Sequence, residues 1–249
     1  MWNLIISPQE YRKTLQELLN LQIWYACESA KIEKRSLAET INQYTEIYYY
    51  STEYKADIPA DKNSEWQKIV GSIINNKKSY WEILSPYILP RINKDLLAAK
   101  QDIESSFYGF MYEFYPEYNS ESNADFLTIH FRNYFAPESP FEHYDELKQG
   151  LLQIIEKVQA ERPDVKQVQC ASWLNNLSKF TVLFPEQWLK RANDCYPMSA
   201  STGWWGKFIN RKGLINQMAV MELKATKTFS TPNRHCRCTI DELHQHLSQ

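Results

Sequence analysis

The feature that most constrains this chain is a change of apolar rhythm near its middle. Up to about residue 119, apolar side chains recur at helical spacing; from Phe126 onward they alternate. In "FLTIHFR", Leu127, Ile129 and Phe131 fall on one side, and Thr128, His130 and Arg132 on the other. That is the pattern of a strand with one buried face. The switch predicts an α+β chain: a helical half at 1–123, then a mixed α/β half at 124–249.

Helix starts are marked by capping chemistry. Ser7-Pro8-Gln9-Glu10 and Ser139-Pro140-Phe141-Glu142 each offer a capping serine, a proline at the first helical position and a glutamate that folds back. Ser36–Glu39 and Thr239–Glu242 repeat the capping box, and Ser64–Gln67 is its glutamine form. The first predicted helix gathers Tyr11, Leu15, Leu18, Leu19, Ile23 and Ala26 on one face. Others are predicted over about 37–50, over 65–84 with Ser85-Pro86 as its end, and over 93–115. Leu96, Ile103, Phe107, Phe110 and Phe114 carry the last of these. Tyr44, Tyr48, Tyr49, Tyr50 and Tyr54 crowd the end of the second, where they read as helix-packing surface.

In the second half, the helix opened by Ser139 carries Leu147, Leu151, Ile154, Ile155 and Val158 and ends before Arg162-Pro163. The strand "VKQVQCASWL" follows, making a βαβ-like unit. "WWGKFINRKGLINQMAVMELKA" reads as a β-hairpin turning at Asn210–Gly213, and a last helix starts at Thr239.

Composition narrows the classes of function. No apolar run reaches the roughly 20 residues that cross a bilayer. The N-terminus "MWNLIISPQE" lacks the basic start and apolar run of a signal peptide. Five scattered cysteines, an odd number, predict reduced thiols in a cytoplasmic protein rather than a disulfide framework. A net charge of −2 without a reader motif predicts no nucleic-acid partner. Beneath that small net value, 101–146 holds ten acidic residues and one basic, whereas 199–238 holds seven basic and one acidic. Such blocks read as solvated faces that attract one another, or as a basic surface for an anionic ligand.

Near the C-terminus, "RHCRCTIDELHQH" holds three of the five histidines and two of the five cysteines. Cys236 and Cys238 are expected to diverge, and His244 and His246 stand about 200° apart around a helix. Neither pair has zinc-ligand spacing, so no metal is expected, and Thr239 with Glu242 accounts for the segment as a capped helix. Ser201-Thr202-Gly203-Trp204-Trp205-Gly206-Lys207 fails the spacing of a phosphate loop. Candidate nucleophiles are Cys170, Ser172, Ser199 and Ser201, with His130 or His143 as base, though no G-x-S-x-G elbow is present. Cys170, beside Val168 in a strand, reads first as a small buried thiol. His130 stands with Thr128 and Arg132 on a polar strand face that meets solvent, a second domain or a ligand.

Two stretches, Ile129-His130-Phe131 and Cys170-x-Ser172-Trp173-Leu174, resemble acyltransferase-related proteins that join a helical N-terminal domain to a GNAT-like C-terminal domain. The order of parts agrees along most of the chain, while the motif match covers about a dozen residues. The acetyl-CoA pyrophosphate loop, Q/R-x-x-G-x-G/A, is absent. What the resemblance implies is acyl transfer from acyl-CoA to an amine. Lys207, Arg211 and Lys212 would then meet the phosphates, and His130 would take the amine proton. Two other readings stand beside it: a non-catalytic protein-interaction module on the same fold, and an enzyme using Cys170 or His130 without CoA.

Overall fold

The computed structural model describes residues 6–48, 59–75, 79–116, 125–195 and 202–249. Tyr49, Tyr50, Tyr54, Ser199 and Ser201 lie outside them. Mixed α+β architecture is observed, with helices mostly in the first half and strands mostly in the second. The chain divides into two compact units, each built from separate segments. One joins Trp2–Ala98 to Pro197–Ser230; the other joins Ala99–Tyr196 to Thr231–Gln249. These bounds differ from the expected division at 123/124. The basic, tryptophan-bearing segment belongs with the N-terminal helices, because its aromatic rings pack there.

The helical unit begins with α1 (Pro8–Glu33) and α2 (Leu37–Tyr44), each opened by a complete capping box, from Ser7–Glu10 and Ser36–Glu39. Next comes α3 (Ser64–Asn75), whose start differs from expectation. Asn63, not Ser64, caps it: the Asn63 side-chain oxygen accepts from the N–H groups of Glu65 and Trp66 at 3.1 and 3.0 Å. Gln67 donates instead to the Ala60 carbonyl. The helix predicted over 65–84 is two, because α4 (Tyr80–Ile88) follows separately and keeps Pro86 inside it. Then α5 (Ile92–Glu104) ends far short of residue 115.

What ends α5 is a reversal at Phe107–Phe110. Phe107 and Phe110 exchange both backbone hydrogen bonds, with Tyr108 at φ 50° and Gly109 at φ 95° between them. Two successive positive φ angles suit a two-residue reversal of the type I′ kind. Beyond it lies β1 (Phe110–Pro116), not a helix. Phe110 and Phe114 fit both a helical and a two-residue period; Gly109 decides between them.

β1 pairs antiparallel with β2 (Asp125–Phe131). A βαβ unit follows through α6 (Tyr144–Glu161) to β3 (Gln167–Ser172), parallel to β2. Two short helices, α7 (Ser178–Thr181) and α8 (Glu186–Lys190), lead to the edge strand β4 (Asn193–Cys195). The chain then gives α9 (Thr202–Trp205) and α10 (Gln217–Thr226) to the helical unit. Here the predicted hairpin is corrected. The Asn210–Gly213 turn exists, with Gly213 at φ 78° and one bridge between Ile209 and Ile215, but helices flank it. Asn216 caps α10, and Met, Ala, Glu, Leu and Lys favour a helix over a strand. Last come β5 (Asn233–Thr239) and α11 (Ile240–Leu247), the latter opened by the predicted Thr239–Glu242 capping box.

The five strands form one sheet in the order β1-β2-β3-β5-β4, in which β2 and β3 are parallel neighbours and the other pairings are antiparallel. Its core face carries Phe110, Leu127, Ile129, Val168, Cys170, Cys236 and Cys238 against Leu147, Leu151, Ile154, Ile155 and Val158 of α6. Cys236 and Cys238 therefore share a face, contrary to expectation, since residues two apart in a strand point the same way. The sheet-bound stripe of α6 consists of the residues its spacing predicted.

Close packing of α6 also depends on Gly150. A Cβ there would overlap the carbonyl oxygen of Phe107 and approach its carbonyl carbon to 3.0 Å. Gly150→Ala gains about 1 kcal/mol of helix propensity. The backbone overlap costs about 3 kcal/mol, since neither side can rotate away. The expected result is a net loss of about 2 kcal/mol in urea unfolding; a stabilised variant would refute the contact.

Candidate functional site

The parallel ladder between β2 and β3 holds at Leu127–Val168 and Thr128–Gln169. Both strands run on, to Phe131 and Ser172, without further ladder pairs between them. The hydrogen-bond ladder thus has a gap toward the carboxyl ends of two parallel strands, the region where ligands of open α/β sheets characteristically bind. The motif residues Ile129, His130, Phe131, Cys170 and Ser172 line its two sides along the backbone.

The sheet face turned away from α6 carries a polar row across the gap's closed end. Gln169 Nε2 donates to Thr128 Oγ1 at 2.8 Å, and Gln169 Oε1 lies 3.0 Å from His235 Nε2. An amide oxygen only accepts, so His235 Nε2 carries the proton and Nδ1 is the acceptor. Burial holds the His235 pKa below its ordinary value, keeping the ring neutral. The row joins β5, β3 and β2 through residues far apart in the chain. The polar alternation of His235 and Arg237 with Cys236 and Cys238 was the signal that would have found its last member.

His130 stands on the same face as Thr128, beyond the ladder's end, with its side chain about half exposed. Its Nε2 lies 3.3 Å from the Glu113 carboxylate of β1. That charge favours the proton on Nε2 and leaves Nδ1 to accept one. Arg132 pairs with Asp102 at 3.0 Å.

Cys170 is the other catalytic candidate. It is 3% exposed on the core face, and burial pushes its thiol up to about 12. A thiolate is the nucleophile, so a thiol so placed is inert near neutral pH. Its cross-strand neighbour Cys236 is pushed up to about 12 by the same cause. Ser172 accepts from the Leu174 N–H and so caps a short helical turn. Among the described residues, no three histidine, cysteine, aspartate or glutamate side chains converge as metal ligands would.

Lys207, Arg211 and Lys212 belong to the helical unit, whereas His130 and Cys170 belong to the sheet unit. The Lys207 ammonium lies over Phe229 and Phe208, 4.5 and 5.4 Å from the ring centroids, and burial lowers its pKa to about 8. Arg211 and Lys212 are exposed at the Asn210–Gly213 turn.

The approach to α6 is acidic. Glu138, Glu142, Asp145 and Glu146 surround its start, and His143 is the N-cap. The His143 ring stacks on Phe135 at 4.0 Å, with Nε2 at 2.9 Å from Glu138 and Nδ1 at 3.5 Å from Glu146. Glu138 first, then Glu146, raise its pKa above 6.5. A raised folded-state pKa contributes stability that is complete below the unfolded value and lost as pH rises through the folded one. Melting is therefore expected to fall from pH 6.5 upward by a component that His143→Gln removes. An NMR titration placing His143 at or below 6.5 would contradict this.

No helix among the described residues is long and apolar enough to cross a membrane. The fold and site define a two-unit α+β protein whose one parallel ladder ends short of its two strands. Comparison with family models, curated proteins and solved structures found no match for this chain.

Proposed function

We propose that the sheet unit transfers an acyl group from a thioester to an amine. The gap between β2 and β3 receives the thioester's extended arm, and His130 takes the amine's proton. One observation carries the reading: the ladder stops at Thr128–Gln169 while both strands continue. Main-chain N–H and C=O groups along such a gap suit an amide-bearing, pantetheine-like arm, as sheet edges suit extended peptides. The resemblance supports it, because both motifs stand on the strands that flank the gap. In the step, the amine nitrogen attacks the thioester carbonyl carbon and His130 accepts the amine proton. The carbonyl then re-forms as the C–S bond breaks, and the leaving thiolate takes that proton from His130. Amide and thiol are the products.

The four carboxylates about the start of α6 oppose a diphosphate there, and the glycine-rich pyrophosphate loop is missing. The reading therefore rests on the arm rather than on the nucleotide end of acyl-CoA. The same two features favour a second reading, a protein-interaction module without acyl transfer. Exposed tyrosines at 44–54 would have favoured it further; Tyr44 and Tyr48 are buried.

A thermal-shift titration with S-acetylpantetheine and acetyl-CoA separates the two. At 100 times Kd, a ligand stabilises by about 2.7 kcal/mol. For a chain of this size that is a rise of roughly 5–10 °C. A dose-dependent rise with S-acetylpantetheine is expected; flat curves with both at millimolar ligand would leave the interaction module.

A further inference from the structure

We infer that α10 and the turn before it form a docking surface for an acidic amphipathic helix of a protein partner. Leu223 is the buried residue of this helix, 2% exposed. On the opposite side stand Met218 and Met221, 74% and 62% exposed, with Leu214 at 37%. Ala225 continues the line and is exposed. Within the helix, positions 218, 221 and 225 have the three-four spacing of a helix-packing seam, and Leu214 is exposed in the turn before it. Methionine suits such a surface, since its flexible thioether adapts to a partner's side chains.

Charge identifies the partner. Arg211, Lys212 and Lys224 are exposed in the turn and helix that carry the stripe, as is Glu222, the single acidic residue from Ser199 to Cys238. Lys227 is shared with Glu28 at 2.6 Å. A surface of this sign attracts a helix bearing carboxylates beside its apolar face, and repels the same surface on a second copy. The exposed side of this ten-residue helix has no tryptophan or phenylalanine to enter a lipid interface. A protein helix is therefore favoured over an anionic membrane.

The test uses the full chain and a fluorescent synthetic peptide of about 20 residues, with leucine at heptad a and d and glutamate beside them. Its lysine counterpart and phosphatidylserine–phosphatidylcholine vesicles serve as rivals. Expected are saturable binding of the acidic peptide, weakening with salt, and shifts of the Met218 and Met221 methyl resonances. Met218→Gln with Met221→Gln should weaken binding by about tenfold or more at an unchanged melting temperature, and Lys212→Glu with Lys224→Glu should weaken it too. The inference is overturned by no binding, by equal binding of the lysine peptide, by unmoved methyl resonances, or by vesicles binding where the peptide does not.

Discussion

Replacing His130 by glutamine is expected to slow acyl transfer by about 10²–10⁴-fold, the usual contribution of a positioned base. Its side chain is about half exposed and pairs with the exposed Glu113. Stability should therefore change by no more than about 0.5 kcal/mol. Removing a group that acts in the transition state lowers kcat and kcat/KM together, whereas lost substrate binding would raise KM alone. Glu113→Gln should cost less, because that carboxylate orients the ring without touching the amine. Steady-state kinetics of the three proteins decide it. A His130→Gln protein of unchanged rate would remove the base from the account.

The second large effect is structural. Asn175 is 1% exposed and ties three elements of the sheet unit together. Its Nδ2 donates to the carbonyls of Cys170 on β3 and Arg234 on β5, at 3.0 and 2.7 Å. Its Oδ1 accepts from the Trp188 indole at 3.0 Å. Asn175→Ala removes all three bonds, and no solvent replaces them at that depth. Each buried polar group left without a partner costs about 1–3 kcal/mol, so a loss of about 4 kcal/mol is expected. Urea unfolding measures it. Asn175→Asp should also destabilise, because it keeps the acceptor for Trp188 but turns a carboxylate toward two carbonyls. In Trp188→Phe the Asn175→Ala loss should shrink, since one of the three bonds is already gone. A loss below about 1 kcal/mol would contradict the role assigned to this side chain.

Local chemistry made the legible part of the fold legible. The capping boxes at Ser7, Ser36 and Thr239, the α6 stripe and the β2–α6–β3 crossover all rest on short-range patterns. Failures came where two periods fit the same residues. Phe107, Phe110 and Phe114 suit a helix, yet Phe110, Tyr112 and Phe114 also alternate, and the reversal at Tyr108–Gly109 selects the strand. The turn at Asn210–Gly213 suggested a β-hairpin, but Asn216 caps a helix after it. For the site, His130 and the motif strands were visible. The bond from His235 through Gln169 to Thr128 was not, because it spans β5, β3 and β2 and depends on register. The end of the β2–β3 ladder is likewise a property of two strands together.

The most direct test of the central claim is an amide NMR titration of the isotope-labelled protein with S-acetylpantetheine. An arm lying in the gap should shift the resonances of Ile129, His130 and Phe131 on β2 and of Cys170, Ala171 and Ser172 on β3. Thr128 and Gln169 should mark the limit of the change, and β4 at the far edge should stay still. Shifts confined to residues outside the sheet unit, or none at saturating ligand, would contradict the account.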